Sequence, residues 1–143
     1  MLKTYIYLAQ QNPLKASGGG PFYEKSFINY IMSQGCELKI YDPTYYIGKL
    51  EADLFVLADL WNQPSLNNWF PYSDINRIVG GQKYITFDAG YSTICNQNYL
   101  ACNLVYHGCQ DCFCRGPRQD FLQKFYCSAV ANIFLSPLHA QTI

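Results

Sequence analysis

Short apolar runs that alternate with longer segments of helical periodicity constrain this chain more than any other feature of its sequence. The clearest run extends from Leu54 to Ala58 and is bounded by Asp53 and Asp59. A short continuous run is typical of a strand covered on both faces in a parallel sheet, whereas a half-exposed strand alternates apolar and polar residues. The run therefore predicts a parallel sheet that lies between layers of helices.

The same criteria, applied along the chain, predict an alternation of strands and helices. Strands are expected at 5–9, 36–41, 53–60, 83–88 and 132–135, and helices at 22–34, in two short pieces within 64–80, and at 119–131. Gly35 is expected to end the first helix, Pro71 to interrupt the second helical segment, and Pro137 to begin a further helix. Such an alternation forms right-handed βαβ units. The predicted fold is α/β, a single domain with an open parallel sheet and helices on both faces.

The first predicted helix has an apolar face and a polar face. The residues expected to be buried against the sheet are Tyr23, Phe27, Ile28 and Ile31. The residues expected on the opposite, exposed side are Glu24, Lys25, Asn29 and Ser33.

The composition excludes several classes of protein. Hydrophobic residues make up 50% and charged residues 14%, which excludes an intrinsically disordered chain. Lys+Arg and Asp+Glu each number 10, so the positive charge with which proteins bind nucleic acids is missing and no nucleic-acid partner is expected. No apolar run approaches the roughly 18 residues of a membrane-spanning helix, and no cleavage site of a signal peptide follows the first strand. The expectation is a cytoplasmic protein without a transmembrane segment.

A glycine-rich stretch, Ser17 to Gly20, separates the first strand from the first helix. Ligands of open parallel sheets bind at the carboxyl ends of the strands, where this loop is expected to lie. Glycines let a main chain approach an anion closely, and a helix N-terminus adds free N–H groups. Gly18, Gly19 and Gly20 are therefore candidate ligands of a phosphate or sugar phosphate. The spacing matches neither the dinucleotide fingerprint nor a P-loop, and a flexible turn has the same composition.

A carboxylate, Asp88, is expected to end the fourth strand at the same edge of the sheet. Small residues follow it, so that Gly90 and Tyr91 are candidate substrate-binding residues around the space above the carboxylate. Asp88 is the candidate catalytic residue, as a general base or as an acceptor for a substrate hydroxyl. An Asx-type turn is the structural alternative. Arg115, further along the chain, is a candidate for binding an acidic group on an acceptor, or it is simply solvated.

The chain contains seven cysteines, an odd number that argues against a secreted disulfide framework. Five of them are crowded into the segment 95–114. The candidate zinc ligands in this cysteine-rich loop are Cys109, Cys112, Cys114 and His107. Cys95 and Cys102 offer an alternative second pair, and the same thiols allow an iron–sulfur site. A redox disulfide between Cys109 and Cys112, or free thiols packed as small apolar groups, are the remaining interpretations.

Two non-enzymatic functions are compatible with these features. The cysteine segment favours a metal-binding or redox-sensing module built on the sheet. The aromatic residues Trp61, Trp69 and Tyr72 instead suggest an exposed patch that binds another protein.

The order of the motifs resembles the N-terminal half of a known enzyme family. The matching pieces are the loop 17–20 before a long helix, the segment 33–41 at the helix end and second strand, the acidic entry to the third strand at 51–57, Asp88 after the fourth strand, and the segment 131–139. Cys36 stands where that family has a histidine. Together they resemble a sugar-nucleotide-dependent glycosyltransferase of the GT-B fold, which has two Rossmann-like domains facing a cleft.

The resemblance implies a Rossmann-like, acceptor-side domain over residues 1–143, ending before a C-terminal donor-binding domain. The donor substrate would be a nucleotide sugar with its phosphates near the glycine-rich loop. Asp88 would lie near the hydroxyl group of a small-molecule or glycan acceptor. In the family, the second domain supplies the basic and acidic residues that hold the donor. The chain alone is therefore expected to be inactive in sugar transfer.

Overall fold

The computed structural model describes residues 1–16, 19–58, 70–88 and 117–134, and every structural statement below concerns these residues. The elements are β1 (Thr4–Ala9), α1 (Gly19–Ser33), β2 (Glu37–Tyr41), β3 (Leu54–Ala58), α2 (Tyr72–Gly81), β4 (Tyr84–Asp88), α3 (Pro117–Cys127) and β5 (Ala131–Phe134). The five strands form one sheet in the order β2-β1-β3-β4-β5, and all neighbouring strands are parallel. The predicted α/β architecture with a parallel sheet is confirmed.

The sheet buries both of its faces under helices. Successive side chains of a strand point to opposite faces, so β1 contributes Ile6 and Leu8 to one apolar layer and Tyr7 and Ala9 to the other. The first layer also contains residues of α2 and α3: Ile75, Ile78, Phe121 and Phe125. The second layer contains Ile28 and Ile31 of α1. Helices therefore cover both faces, as the uninterrupted apolar strands predict.

The central strand β3 is buried on both faces, which is typical of parallel sheets. Its residues from Phe55 to Ala58 are all buried, and it pairs with β1 on one side and β4 on the other. Complete burial of a large aliphatic or aromatic side chain stabilises the fold by about 1.5–3 kcal/mol. By contrast, β2 is an edge strand in which the exposed Glu37 and Lys39 alternate with half-buried residues.

The boundaries of α1 differ from the prediction mainly at the N-terminal end. The helix begins at Gly19, before the predicted start at Phe22, and ends at Ser33, one residue before the predicted end. At the other end Gly35 follows the last turn with a φ of +75°, a left-handed conformation that favours glycine. The predicted role of Gly35 as the residue that ends the helix is confirmed.

The other two helices show how tertiary contacts decide where a helix ends. Pro71 directly precedes α2, and the predicted helical piece before it lies outside the described residues. The third helix ends at Cys127 and not at Ala131, since the main-chain N–H of Val130 donates to the carbonyl of Tyr84 at 2.8 Å. That bond ties the chain to the start of β4 and draws it into β5. No helix within the described ranges is long and apolar enough to cross a membrane.

Candidate functional site

The carboxyl ends of all five strands meet at one edge of the sheet, because every pairing is parallel. The last residues at this carboxyl edge are Ala9, Tyr41, Ala58, Asp88 and Phe134. The helix α1 follows β1 and therefore starts at the same edge. One strand, β3, separates β1 from β4, so the two strands lie about 10 Å apart. The candidate anion-binding residues Gly19 and Gly20 and the candidate catalytic residue Asp88 thus belong to the same edge.

The glycine-rich stretch is partly helical and not wholly a loop. Gly19 and Gly20 form the first turn of α1, whereas Gly18 lies outside the described residues. The first turn of α1 contains no acidic side chain that would compete for its N–H groups. The N-terminus of a helix has N–H groups without helical partners and a positive partial charge, so it attracts an anion.

Asp88 is the last residue of β4 and is only 1% exposed. The hydroxyl of Tyr126, a residue of α3, donates a hydrogen bond of 2.8 Å to Asp88 Oδ2. Burial excludes the water that would otherwise compete for the carboxylate, which strengthens its hydrogen bonds. The side chain is therefore held in a fixed position at the carboxyl edge by a neighbouring helix.

Hydrogen bonds made by the side chains of Thr86 and Asn132 hold the end of α3, and with it Tyr126, in place. Thr86 lies two residues before Asp88 on the same face, and its hydroxyl donates to Asn132 Oδ1 at 2.6 Å. Asn132 in turn donates through Nδ2 to the main-chain carbonyl of Tyr126 at 3.0 Å. These bonds connect β4 and β5 to the end of α3. They fix Tyr126, and through it the carboxylate of Asp88.

A second buried carboxylate, Glu24, contradicts the predicted faces of α1. It was expected on the exposed side, but it is 7% exposed, whereas Tyr23, expected to be buried, is 52% exposed. The cause is the completely buried Tyr7 of β1, whose hydroxyl donates a bond of 2.8 Å to Glu24 Oε1. A buried phenol needs a polar partner. The helix is therefore rotated so that Glu24 faces the sheet.

A third buried phenol, Tyr84, joins β4 to α3. Its hydroxyl donates to the main-chain carbonyl of Phe125 at 2.5 Å, and the two rings stack with centroids 5.9 Å apart. Burial raises the pKa of Tyr84 to about 12. This residue is a neutral donor at ordinary pH and contributes to the packing behind the site rather than to its chemistry.

Several predicted site residues lie outside the described part of the chain. They are Gly18, Gly90, Tyr91, Arg115 and the four candidate metal ligands Cys109, Cys112, Cys114 and His107. Trp61 and Trp69 lie outside it as well. The cysteines that the structure describes, Cys36 and Cys127, are free thiols. No group of His, Cys, Asp and Glu suited to hold a metal ion occurs among the described residues.

The comparisons with protein families, characterised proteins and solved structures reveal no protein that matches this chain. Its site must therefore be interpreted from its own residues.

Two of those residues, Tyr126 and Glu24, were not identified from the sequence. Tyr126 comes from an amphipathic helix in which an aromatic residue is ordinarily a packing residue. Glu24 has a detectable signal, because a tyrosine in the middle of a buried strand requires a polar partner on the helix that covers it.

Proposed function

We propose that this chain is the acceptor-side domain of a sugar-nucleotide-dependent glycosyltransferase. In this role it binds a hydroxyl compound and, together with a donor-binding domain, receives a sugar from a nucleotide sugar. The observation that carries the proposal is the common position of the glycine-led α1 and of Asp88 at the carboxyl edge of a parallel sheet. The order of the sequence motifs, which resembles this enzyme family, supports the same function.

The N-terminus of α1 serves the donor in this proposal. A nucleotide sugar leaves a nucleoside diphosphate behind when the sugar is transferred, and negative charge develops on the leaving phosphate oxygen. The N–H groups of Gly19 and Gly20 and the positive end of the helix would stabilise that charge. Donors that are fixed in advance act most strongly on charge that develops in the transition state.

Asp88 serves the acceptor. Its Oδ2 is engaged by Tyr126, so the carboxylate is oriented by the protein. Because Asp88 is 1% exposed, an acceptor reaches it only after neighbouring residues move aside; its hydroxyl would then donate a hydrogen bond to the carboxylate and lose its proton as the bond to the sugar forms. Tyr126 is a positioning residue, because it acts through Asp88.

Transfer measured with the protein as its gene encodes it, over a panel of nucleotide sugars and hydroxyl acceptors, tests the proposal. Asp88→Asn keeps the shape of the side chain but removes the base, so we expect the turnover number to fall by about a hundredfold or more. The control is Asp53→Asn at the opposite edge of the sheet, where Asp53 Oδ2 accepts the N–H of Thr4 at 2.8 Å. This variant is expected to keep wild-type turnover. Normal turnover in Asp88→Asn would remove Asp88 from the mechanism.

The donor side can be tested separately on the chain itself. Inorganic pyrophosphate, added during amide NMR spectroscopy, should produce saturable shifts at Gly19 and Gly20. Gly80 and Gly81 are the matched controls, because they lie at the C-terminal end of α2, where the helix dipole repels anions. Equal or absent shifts in the two pairs would contradict a phosphate-binding role for α1.

A further inference from the structure

A polar cleft of about 270 Å³ lies beside the proposed site, at the carboxyl ends of β1 and β2. One wall is formed by the residues directly after β1 and includes Gln10, Asn12 and Lys15. The other wall is formed by the residues directly after β2 and includes Asp42 and Tyr45. The volume is slightly below the range of roughly 300–1,000 Å³ that is typical of small-molecule sites. The cleft therefore accommodates a ligand about as large as one sugar ring.

Both walls are held in place by their own hydrogen bonds. On the β1 side, the main-chain carbonyl of Asn12 accepts the N–H groups of Lys15 and Ala16, and Lys25 of α1 donates to the carbonyl of Ala16 at 2.9 Å. The Asn12 side chain accepts the N–H of Leu14 through Oδ1 at 3.0 Å. This use of Oδ1 leaves the Nδ2 group of Asn12 available as a donor to a ligand.

The β2 side is organised in the same way. Asp42 Oδ1 accepts hydrogen bonds from both the main-chain N–H and the hydroxyl of Thr44, so that Oδ2 remains available as an acceptor. The N–H of Tyr45 donates to the carbonyl of Asp42 at 3.1 Å, and its ring packs edge-to-face on Tyr41 with centroids 5.5 Å apart. Tyr45 is still 56% exposed. It presents an aromatic surface beside the polar groups.

The chemistry of this cleft distinguishes among ligands. Lys15 and Asp42 carry opposite charges, so the cleft has no net charge to attract either an anion or a cation. The amide of Asn12 and the carboxylate of Asp42 supply a donor and an acceptor to hydroxyl groups. The exposed ring of Tyr45 suits the apolar face of a ligand whose edge is polar. A neutral sugar ring combines these properties.

The position of the cleft sets a minimum length for a ligand that also reaches Asp88. It lies between β2 and β1, whereas Asp88 ends β4 on the far side of β3. The separation amounts to about two and a half strand spacings, or roughly 12 Å. A ligand that reaches from the cleft to Asp88 must therefore be longer than a single sugar ring.

We propose that this cleft binds one sugar unit of an extended, neutral glycan acceptor whose reacting hydroxyl lies at Asp88. The binding site itself follows from the cleft, and only the role of its ligand as an acceptor rests on the glycosyltransferase function.

Binding to an array of immobilised neutral and acidic glycans, from monosaccharides to hexasaccharides, tests the proposal with the chain alone. Neutral oligosaccharides should bind, and the dissociation constant for the strongest of them should rise at least tenfold in Tyr45→Ala. The matched control is Tyr46→Ala, because Tyr46 is the adjacent tyrosine, 73% exposed, and does not line the cleft. Binding of acidic glycans alone, binding of no glycan, or equal losses in the two variants would overturn the proposal.

Kinetics with the protein as its gene encodes it separate this inference from the proposed function. Shortening the acceptor to a monosaccharide should raise KM at least tenfold in the wild type, and Tyr45→Ala should abolish the advantage of the longer acceptor. Glycan binding that depends on Tyr45, in a protein that transfers no sugar, would keep the site and refute the transferase. If the protein transfers sugar but Tyr45→Ala changes neither glycan binding nor KM, the transferase function is kept and the cleft is refuted as a glycan-binding site.

Discussion

Replacement of Tyr7 by phenylalanine measures what the buried carboxylate of Glu24 contributes to stability. The variant removes the hydroxyl that donates to Glu24 Oε1 at 2.8 Å. Hydrogen bonds to charged groups contribute about 1.5–3 kcal/mol, and the carboxylate left behind is 7% exposed, so water can hardly replace the lost donor. We therefore expect the free energy of unfolding to fall by about 2–3 kcal/mol.

Tyr84→Phe is the matched control for this experiment. Tyr84 is also completely buried and also donates one hydrogen bond, but to the neutral main-chain carbonyl of Phe125. A bond between neutral groups contributes about 0.5–1.5 kcal/mol. Each variant removes one buried hydroxyl of the same size, so the packing terms largely cancel. Tyr7→Phe should therefore be about 1 kcal/mol more destabilising than Tyr84→Phe.

Urea unfolding at pH 7, followed by far-ultraviolet circular dichroism, measures both losses as changes in the midpoint at constant slope. The cycle is completed with Glu24→Gln, in which the acceptor has no charge. In that background, Tyr7→Phe should cost no more than a neutral hydrogen bond, about 1 kcal/mol. Equal losses for Tyr7→Phe and Tyr84→Phe in the wild type would show that Glu24 is not an ionised acceptor, and the reasoning would be refuted.

Three further predictions follow from other parts of the molecule. Burial raises the pKa of Tyr84 to about 12 from its ordinary value near 10, so the unfolded chain loses this proton first as the pH rises. The stability due to Tyr84 is therefore present below pH 10 and is lost as the pH rises towards 12. The free energy of unfolding should depend less steeply on pH in Tyr84→Phe. Arg77 donates from one nitrogen to the carbonyls of Ile47 and Leu50, at 3.1 and 2.9 Å. Arg77→Met should therefore lower the free energy of unfolding by about 1–3 kcal/mol. Limited proteolysis should show more cleavage between β2 and β3, while circular dichroism should show an unchanged sheet. A zinc site that includes Cys109 and Cys112 predicts about one equivalent of zinc in protein purified under reducing conditions, and elemental analysis that finds less than about 0.1 equivalent of zinc or iron would exclude the metal-binding module.

The strands and their parallel arrangement could be predicted because the signals for them are local. The apolar run of β3 and the alternation of β2 indicate their burial directly, and Gly35 marks the end of α1. The parallel sheet then brings Gly19 and Asp88 to one edge, so that the location of the candidate site also follows from the sequence.

The errors arise where distant residues determine local structure. The periodicity of α1 assigns Glu24 to the exposed side, but the hydroxyl of Tyr7 on another element draws it inward. The apolar residues after Cys127 extend the helical pattern, but the bond from Val130 to Tyr84 ends the helix. The pair Tyr126 and Asp88 joins residues 38 positions apart, and no spacing within one helix or strand indicates such a contact.

The edge strand β2 also determines how the molecule behaves towards its own copies. The outer side of an edge strand has main-chain groups that can pair with a strand of another molecule, which is a route to aggregation. In β2 the exposed positions are Glu37 and Lys39, which lie 3.4 Å apart as an ion pair. Charged side chains on an edge strand disfavour its pairing with another molecule, and Glu37 and Lys39 give β2 this property.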